Sequence, residues 1–159
     1  MGESDWALLA HLFGVVTLFS GMSIAGVASA GARSRERPSE IALLLSLTRS
    51  GVLFVSVGAL FVVAGGLWLV AASDGLYSLG DGWIAAGLGL LALSFVFGWL
   101  GGQAPKRARR MAGRLARERD EPSPELQRLL HSSRALAANY AAAGAIVAAL
   151  VLMVWKPGL

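Results

Sequence analysis

Residues 6–32, WALLAHLFGVVTLFSGMSIAGVASAGA, decide the fold of this chain, because they form one long apolar segment with a single ionisable side chain, His11. The segment exceeds the roughly 20 residues that an α-helix needs to cross a bilayer. A signal peptide is the alternative, since residues 28–30 resemble a cleavage site. Signal peptides begin with basic residues and have an apolar core of about 7–15 residues. Because the acidic Glu3 and Asp5 precede this longer segment, we expect a retained membrane helix.

The composition also indicates a membrane protein. Of the 159 residues, 55% are hydrophobic and only 15% are charged, which departs from soluble domains in both respects. The chain has no cysteine, so disulfides, thiolate metal sites and cysteine nucleophiles are excluded. Thirteen of the 14 Lys and Arg residues lie in residues 33–49 and 106–134. Basic blocks beside apolar segments favour an anionic partner, and lipid head groups are the nearest one.

Three further apolar segments predict three further membrane helices. We therefore predict an all-α, polytopic membrane protein, an antiparallel bundle of four transmembrane helices forming a single domain of residues 1–159. Arg49 interrupts the second segment, which is either one long helix beginning at the interface or a short amphipathic helix before a separate span. The spans are predicted at about residues 6–32, 50–73, 83–102 and 135–155.

Local signals predict where the helices begin and end. Ser39 is expected to cap the second helix. Residues 101–102, both glycine, and Pro105 are expected to end the third helix. Residues 123–125, Ser-Pro-Glu, are typical of a helix start, and this helix is expected to continue into the apolar residues 135–155.

The distribution of charge predicts the orientation in the membrane. The positive-inside rule places loops 33–49 and 103–134 in the cytoplasm, so both termini and the loop at residues 74–82 are expected outside. Amphipathic aromatic rings favour the interfaces, and Trp99 is expected at the inner one. Five aromatic residues are expected at the outer interface: Trp6, Trp68, Tyr77, Trp83 and Trp155.

Small residues at helical spacing predict the contact faces, because close backbone approach drives helix association in lipid. These stripes would serve the bundle or, alternatively, a homodimer. Asn139 is expected to bond to a neighbouring helix rather than to a ligand. The stripes are Gly21, Ala25 and Ser29 in the first span, Gly51, Gly58 and Gly65 in the second, and Ala137, Ala141 and Ala145 in the fourth.

No pattern of a soluble enzyme site is present, and we predict no catalytic residue. His11 lies roughly 7–8 Å below Trp6 along a helix, and an ionisable group at that depth is a functional hypothesis by default. The alternative is a neutral imidazole bonded to a carbonyl of a neighbouring helix. His131 is expected on the opposite side of the membrane, so a haem or metal held by His11 would need Met153 or a second chain.

The basic residues 106–119 predict a helix lying on the inner leaflet. Ala108, Met111, Ala112 and Leu115 share one side of this helix. His131 and Arg134 are expected to share a face and to extend the cationic surface. Nucleic-acid binding is the alternative, which a membrane tether disfavours. The residues expected to bind anionic head groups are Lys106, Arg107, Arg110, Arg114 and Arg117.

Two stretches carry a resemblance to known families. Residues 10–16, AHLFGVV, followed by Gly21 and Met22, resemble the opening helix of the copper-resistance CopD-like membrane proteins. Residues 152–157, LMVWKP, resemble the terminal signature of a bacterial family of integral membrane proteins of unknown function within that group. The resemblance implies a four-helix protein of the bacterial inner membrane with His11 as a candidate ligand of haem b or copper. Residues 17–20 depart from the tryptophan and paired glycines common in that group.

Two functional hypotheses follow. The first is a non-enzymatic structural or accessory protein with a lipid-binding cytoplasmic face and no cofactor, which packs with itself or within a larger membrane complex. The second is a redox or transport protein that binds haem or copper through His11. A small-molecule transporter would need a polar path through the bundle, and the polar residues of the spans are too few to predict one.

Overall fold

The computed structural model describes residues 2–73 and 75–156, and this part of the chain is all-helical. The prediction of four membrane-spanning helices is confirmed to this extent: α1, α2, α3 and the stretch Pro124–Trp155 are each long and apolar enough to cross a membrane. The helices are α1 (Glu3–Arg33), α2 (Pro38–Ala71), α3 (Gly82–Glu118), α4 (Pro124–Leu130) and α5 (Ser133–Trp155).

Helices α1 and α2 form a closely packed pair. Glycine allows this approach: a Cβ atom at Gly21 would come within 2.6 Å of the Gly51 carbonyl oxygen, and one at Gly65 within 2.7 Å of the His11 backbone nitrogen. The start of α1 therefore meets the end of α2, so the two helices run in opposite directions. The stripe predicted on the second span faces α1, with Gly58 against Leu18. These glycines therefore make helix contacts within one chain.

Helices α3 and α5 form the second pair. Asn139 of α5 lies directly against Gly101 of α3, and the Met153 methyl group lies near Gly87. This pair also runs in opposite directions. The stripe predicted on the fourth span is only partly correct, because Ala145 is buried whereas Ala137 and Ala141 are exposed along an open cleft.

The hydrophobic core lies at one end of the molecule, where the two pairs meet. We call this end the basic cap and define it as residues 32–45, 106–118 and 124–130. The largest fully buried side chains of the described residues are all here: Pro38, Ile41, Leu45 and Leu126. Ala32, Ala108, Ala112 and Leu130 complete the buried cluster. Large aliphatic side chains therefore fill the cap, whereas small residues dominate the buried positions of the apolar helical pairs.

The third helix does not end where the sequence predicted. It continues through Pro105 to Glu118, so the expectation of an end at residues 101–105 is wrong. Proline removes one backbone donor, but the following residues are mostly strong helix formers. Ala108 and Ala112 then become fully buried in the basic cap. At 1.5 Å per residue the 37-residue helix is about 55 Å long, well beyond the roughly 30 Å bilayer core.

Two other predicted boundaries are wrong and two are confirmed. Arg37, not Ser39, is the N-cap of α2, with Pro38 at the first helical position. The chain bends at residues 131–132, so α4 and α5 are separate helices. The predicted cap Ser123 accepts a bond from the Leu126 backbone nitrogen and starts α4. The second apolar segment is one continuous helix, as the first of the two alternatives for Arg49 predicted.

Candidate functional site

His11 packs against α2 in the apolar part of the molecule. Its Nδ1 atom lies 2.9 Å from the Val62 carbonyl oxygen, and its ring lies over Gly66, where an added Cβ atom would be 3.3 Å from Nδ1. A carbonyl oxygen only accepts, so Nδ1 carries the hydrogen in this bond. This bond agrees with the alternative in which the His11 imidazole is bonded to a carbonyl of a neighbouring helix. It also leaves Nε2 with a lone pair, the arrangement typical of metal-ligating histidines.

Met153, the second candidate ligand, belongs to the other helix pair. Its methyl group packs towards Gly87 of α3, whereas His11 is bonded to α2. Within residues 2–73 and 75–156, no three or more histidine, aspartate or glutamate side chains come together in a metal-binding cluster. His11 and Met153 therefore pack against different helices in the described part of the chain.

The basic residues of α3 lie on the outside of the cap. Lys106, which starts this row, is exposed, and so are the predicted arginines. Ala108 and Ala112, on the opposite side of the helix, are fully buried against protein. The helix predicted to lie on the inner leaflet is therefore the continuation of α3, and its apolar side is covered by α2 and α4. The exposed arginines are Arg107, Arg110, Arg114 and Arg117.

His131 and Arg134 do not share a helix face, contrary to the prediction. His131 is the C-cap residue of α4, and its Nδ1 atom lies 3.0 Å from the Gln127 carbonyl oxygen. Arg134 lies in the first turn of α5, beyond the bend. His131 therefore completes the end of a short helix, while Arg134 is exposed and lines a cleft.

Asp120, which follows α3, is bonded to the start of α2. The sequence did not predict this role. Its carboxylate accepts bonds from the backbone N–H and the hydroxyl group of Ser39, both at 2.8 Å. These bonds, with a smaller contribution from the positive charge of Arg37, lower the pKa of Asp120. The carboxylate thus satisfies the start of α2, where a negative charge is favourable. The partners lie 81 residues apart, so no local pattern indicates the contact.

A cleft opens between α3, α4 and α5 beside the cap. Its volume is about 620 Å³, and its lining changes from apolar to basic. Arg107 and Arg134 stand at the basic part, and both are exposed. The remaining lining residues are Phe97, Leu100, Gln103, Ala104, Leu129, Ser132, Ala135, Ala137, Ala138 and Ala141.

At the other end of the α3–α5 pair, Lys156 meets Tyr77 and Trp83, two of the aromatic residues predicted at the outer interface. The Lys156 ammonium group donates to the Tyr77 hydroxyl at 2.8 Å and lies 5.8 Å from the centre of the Trp83 ring. The Tyr77 and Trp83 rings meet edge to face at 5.7 Å. This cluster ties the end of α5 to the loop before α3.

Four apolar helices of spanning length, small-residue contacts and a basic cap together define a polytopic integral membrane protein. The chain belongs to the family described as Predicted integral membrane protein (DUF2269), whose model matches residues 7–157. Its members form a family of unknown function. No curated protein and no solved structure matches the chain.

Proposed function

We propose that this protein is a non-enzymatic structural or accessory component of the bacterial cytoplasmic membrane, with its basic cap bound to anionic lipid head groups. The observation that carries the proposal is the row of exposed basic side chains on α3, whose opposite side is buried in the cap. Because the cap core fixes this helix, binding does not have to order its backbone, which lowers the cost of association.

The charge of the cap supports the choice of partner. Residues 33–49 and 103–134 contain thirteen Lys and Arg residues and six Asp and Glu residues. A basic residue near an anionic membrane surface contributes about 1 kcal/mol, so a few of these side chains give a substantial preference for anionic lipid. The positive-inside rule puts this face in the cytoplasm, where anionic head groups are available.

Lipid-dependent stability tests this proposal. The purified protein in neutral detergent is titrated with phosphatidylglycerol or phosphatidylcholine, and its thermal unfolding is followed. We expect phosphatidylglycerol to raise the midpoint more, because a ligand of the folded state stabilises it. High salt should reduce the difference by screening. Substituting Arg110, Arg114 and Arg117 by Gln should reduce it too. Equal effects of the two lipids on the unaltered protein would contradict the proposal.

A control of opposite sign removes negative instead of positive charge from the same region. Replacing Glu118 and Glu121 by Gln removes negative charge from exposed positions in the cap and directly after α3. If charge on this face sets lipid preference, these variants should respond to phosphatidylglycerol at least as strongly as the unaltered protein. A weaker response would indicate that the arginine substitutions act by disturbing the fold.

A second candidate function is binding of haem or copper through His11, and it has one specific observation in its favour. The Nδ1–H bond to Val62 leaves the Nε2 lone pair of His11 available. The resemblance of residues 10–16 to the CopD-like group supports the same candidate. The further ligand in this candidate is either Met153 or the His11 side chain of a second copy.

Absorption and metal content of the purified protein test this second candidate. A Soret band or bound copper that disappears in His11→Ala and persists in His131→Ala would support it. Protein that is colourless and free of copper, although haem and copper were both supplied during its production, would contradict this candidate.

A further inference from the structure

We propose that the cleft between α3, α4 and α5 binds one anionic phospholipid, with the phosphate group at Arg107 and Arg134 and an acyl chain along the apolar lining. The inference rests on the proposed function, because it assumes a cap in contact with anionic lipid. It adds a discrete site to a general electrostatic preference. The cavity of about 620 Å³ falls within the range of roughly 300–1,000 Å³ usual for ligand pockets.

The lining on α3 follows the polarity of a lipid. Phe97, Leu100, Ala104 and Arg107 succeed one another at spacings of three or four residues, so they lie on one face of the helix. Three apolar side chains come first and a cation comes last. From Phe97 to Arg107 the lining extends about 15 Å along the helix axis.

The lining on α5 repeats this order in the opposite chain direction, as an antiparallel neighbour requires. Ala141 and Ala138 come from the apolar helix, and Arg134 and Ser132 from its start. Ala135 lies level with Gly101, because a Cβ atom at Gly101 would be 3.1 Å from the Ala135 carbonyl oxygen. The two helices thus place their cations at the same end of the cleft.

The basic end of the cleft is suited to a phosphate group. Its lining contains two arginines and no acidic residue. Among residues 2–73 and 75–156, the salt bridge found joins Arg35 to Glu40, so neither arginine of the cleft has a carboxylate partner there. Ser132 precedes α5 and makes no side-chain bond to its first turn. The backbone donors at this helix start add to the favourable potential.

The apolar end of the cleft favours a lipid over a soluble phosphate compound. Ala137, Ala138 and Ala141 line it on α5 because the contact with α3 is made by other residues of that helix. The cations stand where the predicted spans 83–102 and 135–155 give way to the basic cap. Head groups meet hydrocarbon at that level of a membrane, so both parts of one lipid molecule find a complementary surface.

Lipid retention in native mass spectrometry tests this site. The full-length protein in neutral detergent is titrated with dioleoyl phosphatidylglycerol at low molar ratio, and the retained lipid is counted. We expect one tightly retained lipid in the unaltered protein. The double variant Arg107→Gln and Arg134→Gln should weaken this retention by roughly tenfold or more. The matched control, Arg119→Gln and Arg128→Gln, removes the same charge from exposed positions outside the cleft and outside the row on α3 and should retain the lipid.

A second pair of variants tests the acyl-chain half of the cleft. Ala138→Leu combined with Ala141→Leu fills the apolar lining and should weaken retention of phosphatidylglycerol without changing the charge. Ala148→Leu, at an exposed position of α5 outside the cleft, is the control and should retain the lipid. Thermal unfolding of every variant in detergent separates loss of lipid from loss of fold.

A lipid phosphate and a soluble phosphate compound predict different results in the retention experiment. If sn-glycerol 3-phosphate at millimolar concentration displaces the lipid completely and binds equally well to the alanine-to-leucine variant, the site serves a soluble phosphate and the lipid proposal is wrong. If both arginine pairs reduce retention equally, the discrete site is wrong while the general lipid preference stands. If the unaltered protein retains phosphatidylglycerol and phosphatidylcholine equally, the proposed function fails as well.

Discussion

Gly58 is the residue at which the packing of α1 against α2 is most directly tested. A Cβ atom there would collide with the Leu18 backbone, which cannot move aside as a flexible side chain can. Gly26, on α1, has nothing within 4 Å of the corresponding position. The two glycines therefore share a residue type and a helical setting but differ in what surrounds them.

We expect Gly58→Ala to destabilise the protein by about 1–3 kcal/mol, the usual range for overpacking. Gly26→Ala should be neutral or stabilising by about 0.5–1 kcal/mol, because alanine is the better helix former. Thermal unfolding in neutral detergent measures both. Equal effects of the two substitutions would show that the helix contact is not the reason for the glycine at position 58.

For His11, the sequence predicted the apolar surroundings but not the bonding partner. Its apolar surroundings were predictable from residues 6–32, and a bond to a neighbouring helix was one of the two alternatives. The acceptor, Val62, lies 51 residues away in the chain. Main-chain carbonyls carry no sequence signature, so the partner became known only from the packing of α1 on α2.

At the scale of helices, Asp120 acts on α2 from the end of α3. Because bonds from Ser39 lower its folded-state pKa, the carboxylate stabilises the fold fully above the ordinary value of 3.8. This stabilisation is lost as the pH falls through the lower folded-state pKa. Asparagine also tolerates the positive φ of 47° at this position, so a substitution to Asn removes charge without straining the backbone.

We therefore predict that Asp120→Asn lowers thermal stability at neutral pH and that the difference from the unaltered protein shrinks below about pH 4. Unfolding midpoints in detergent between pH 3 and pH 7 measure this. Glu121→Gln is the control, because it removes a carboxylate from the next position, which is exposed. A constant difference across this pH range would contradict the proposed role of the Asp120 charge.

The helix ends show where local signals succeed and where they fail. Ser123 caps α4 as predicted, because a cap depends on residues within one turn. Pro105 was expected to end α3 and does not. The burial of Ala108 and Ala112 depends on α2 and α4, and a tertiary contact of this kind overrides a local preference.

For the whole molecule, the orientation in the membrane stays a prediction of the charge distribution. A topology reporter fused after Leu159, outside the described residues, should be active only on the outer side. The same reporter inserted after Glu121 should be inactive, because this loop is expected in the cytoplasm. The two fusions control each other, since the positive-inside rule requires opposite results. A cytoplasmic signal at Leu159 would overturn the assignment.

The spans and the basic blocks were predictable because hydropathy and charge are properties of the sequence itself. The core of the cap was not predictable in this way. Ile41 and Leu45 look like the beginning of a membrane segment, yet they pack with Leu126 beside the basic residues. The cleft was missed for a related reason: Arg107 and Arg134 are distant in the chain, and the bend before α5 places both of them on its lining.

The composition of the cap also imposes an order on biogenesis. The α1–α2 pair is complete once Ala71 has been synthesised, but the core around Ile41 and Leu45 also needs Ala108, Ala112 and Leu126. During translation of the intervening residues, the ends of the first two helices that belong to the cap expose an unfilled apolar surface. We therefore expect a chain cut before α4 to keep the α1–α2 pair but to leave this surface unfilled, because it lacks Leu126 and Leu130.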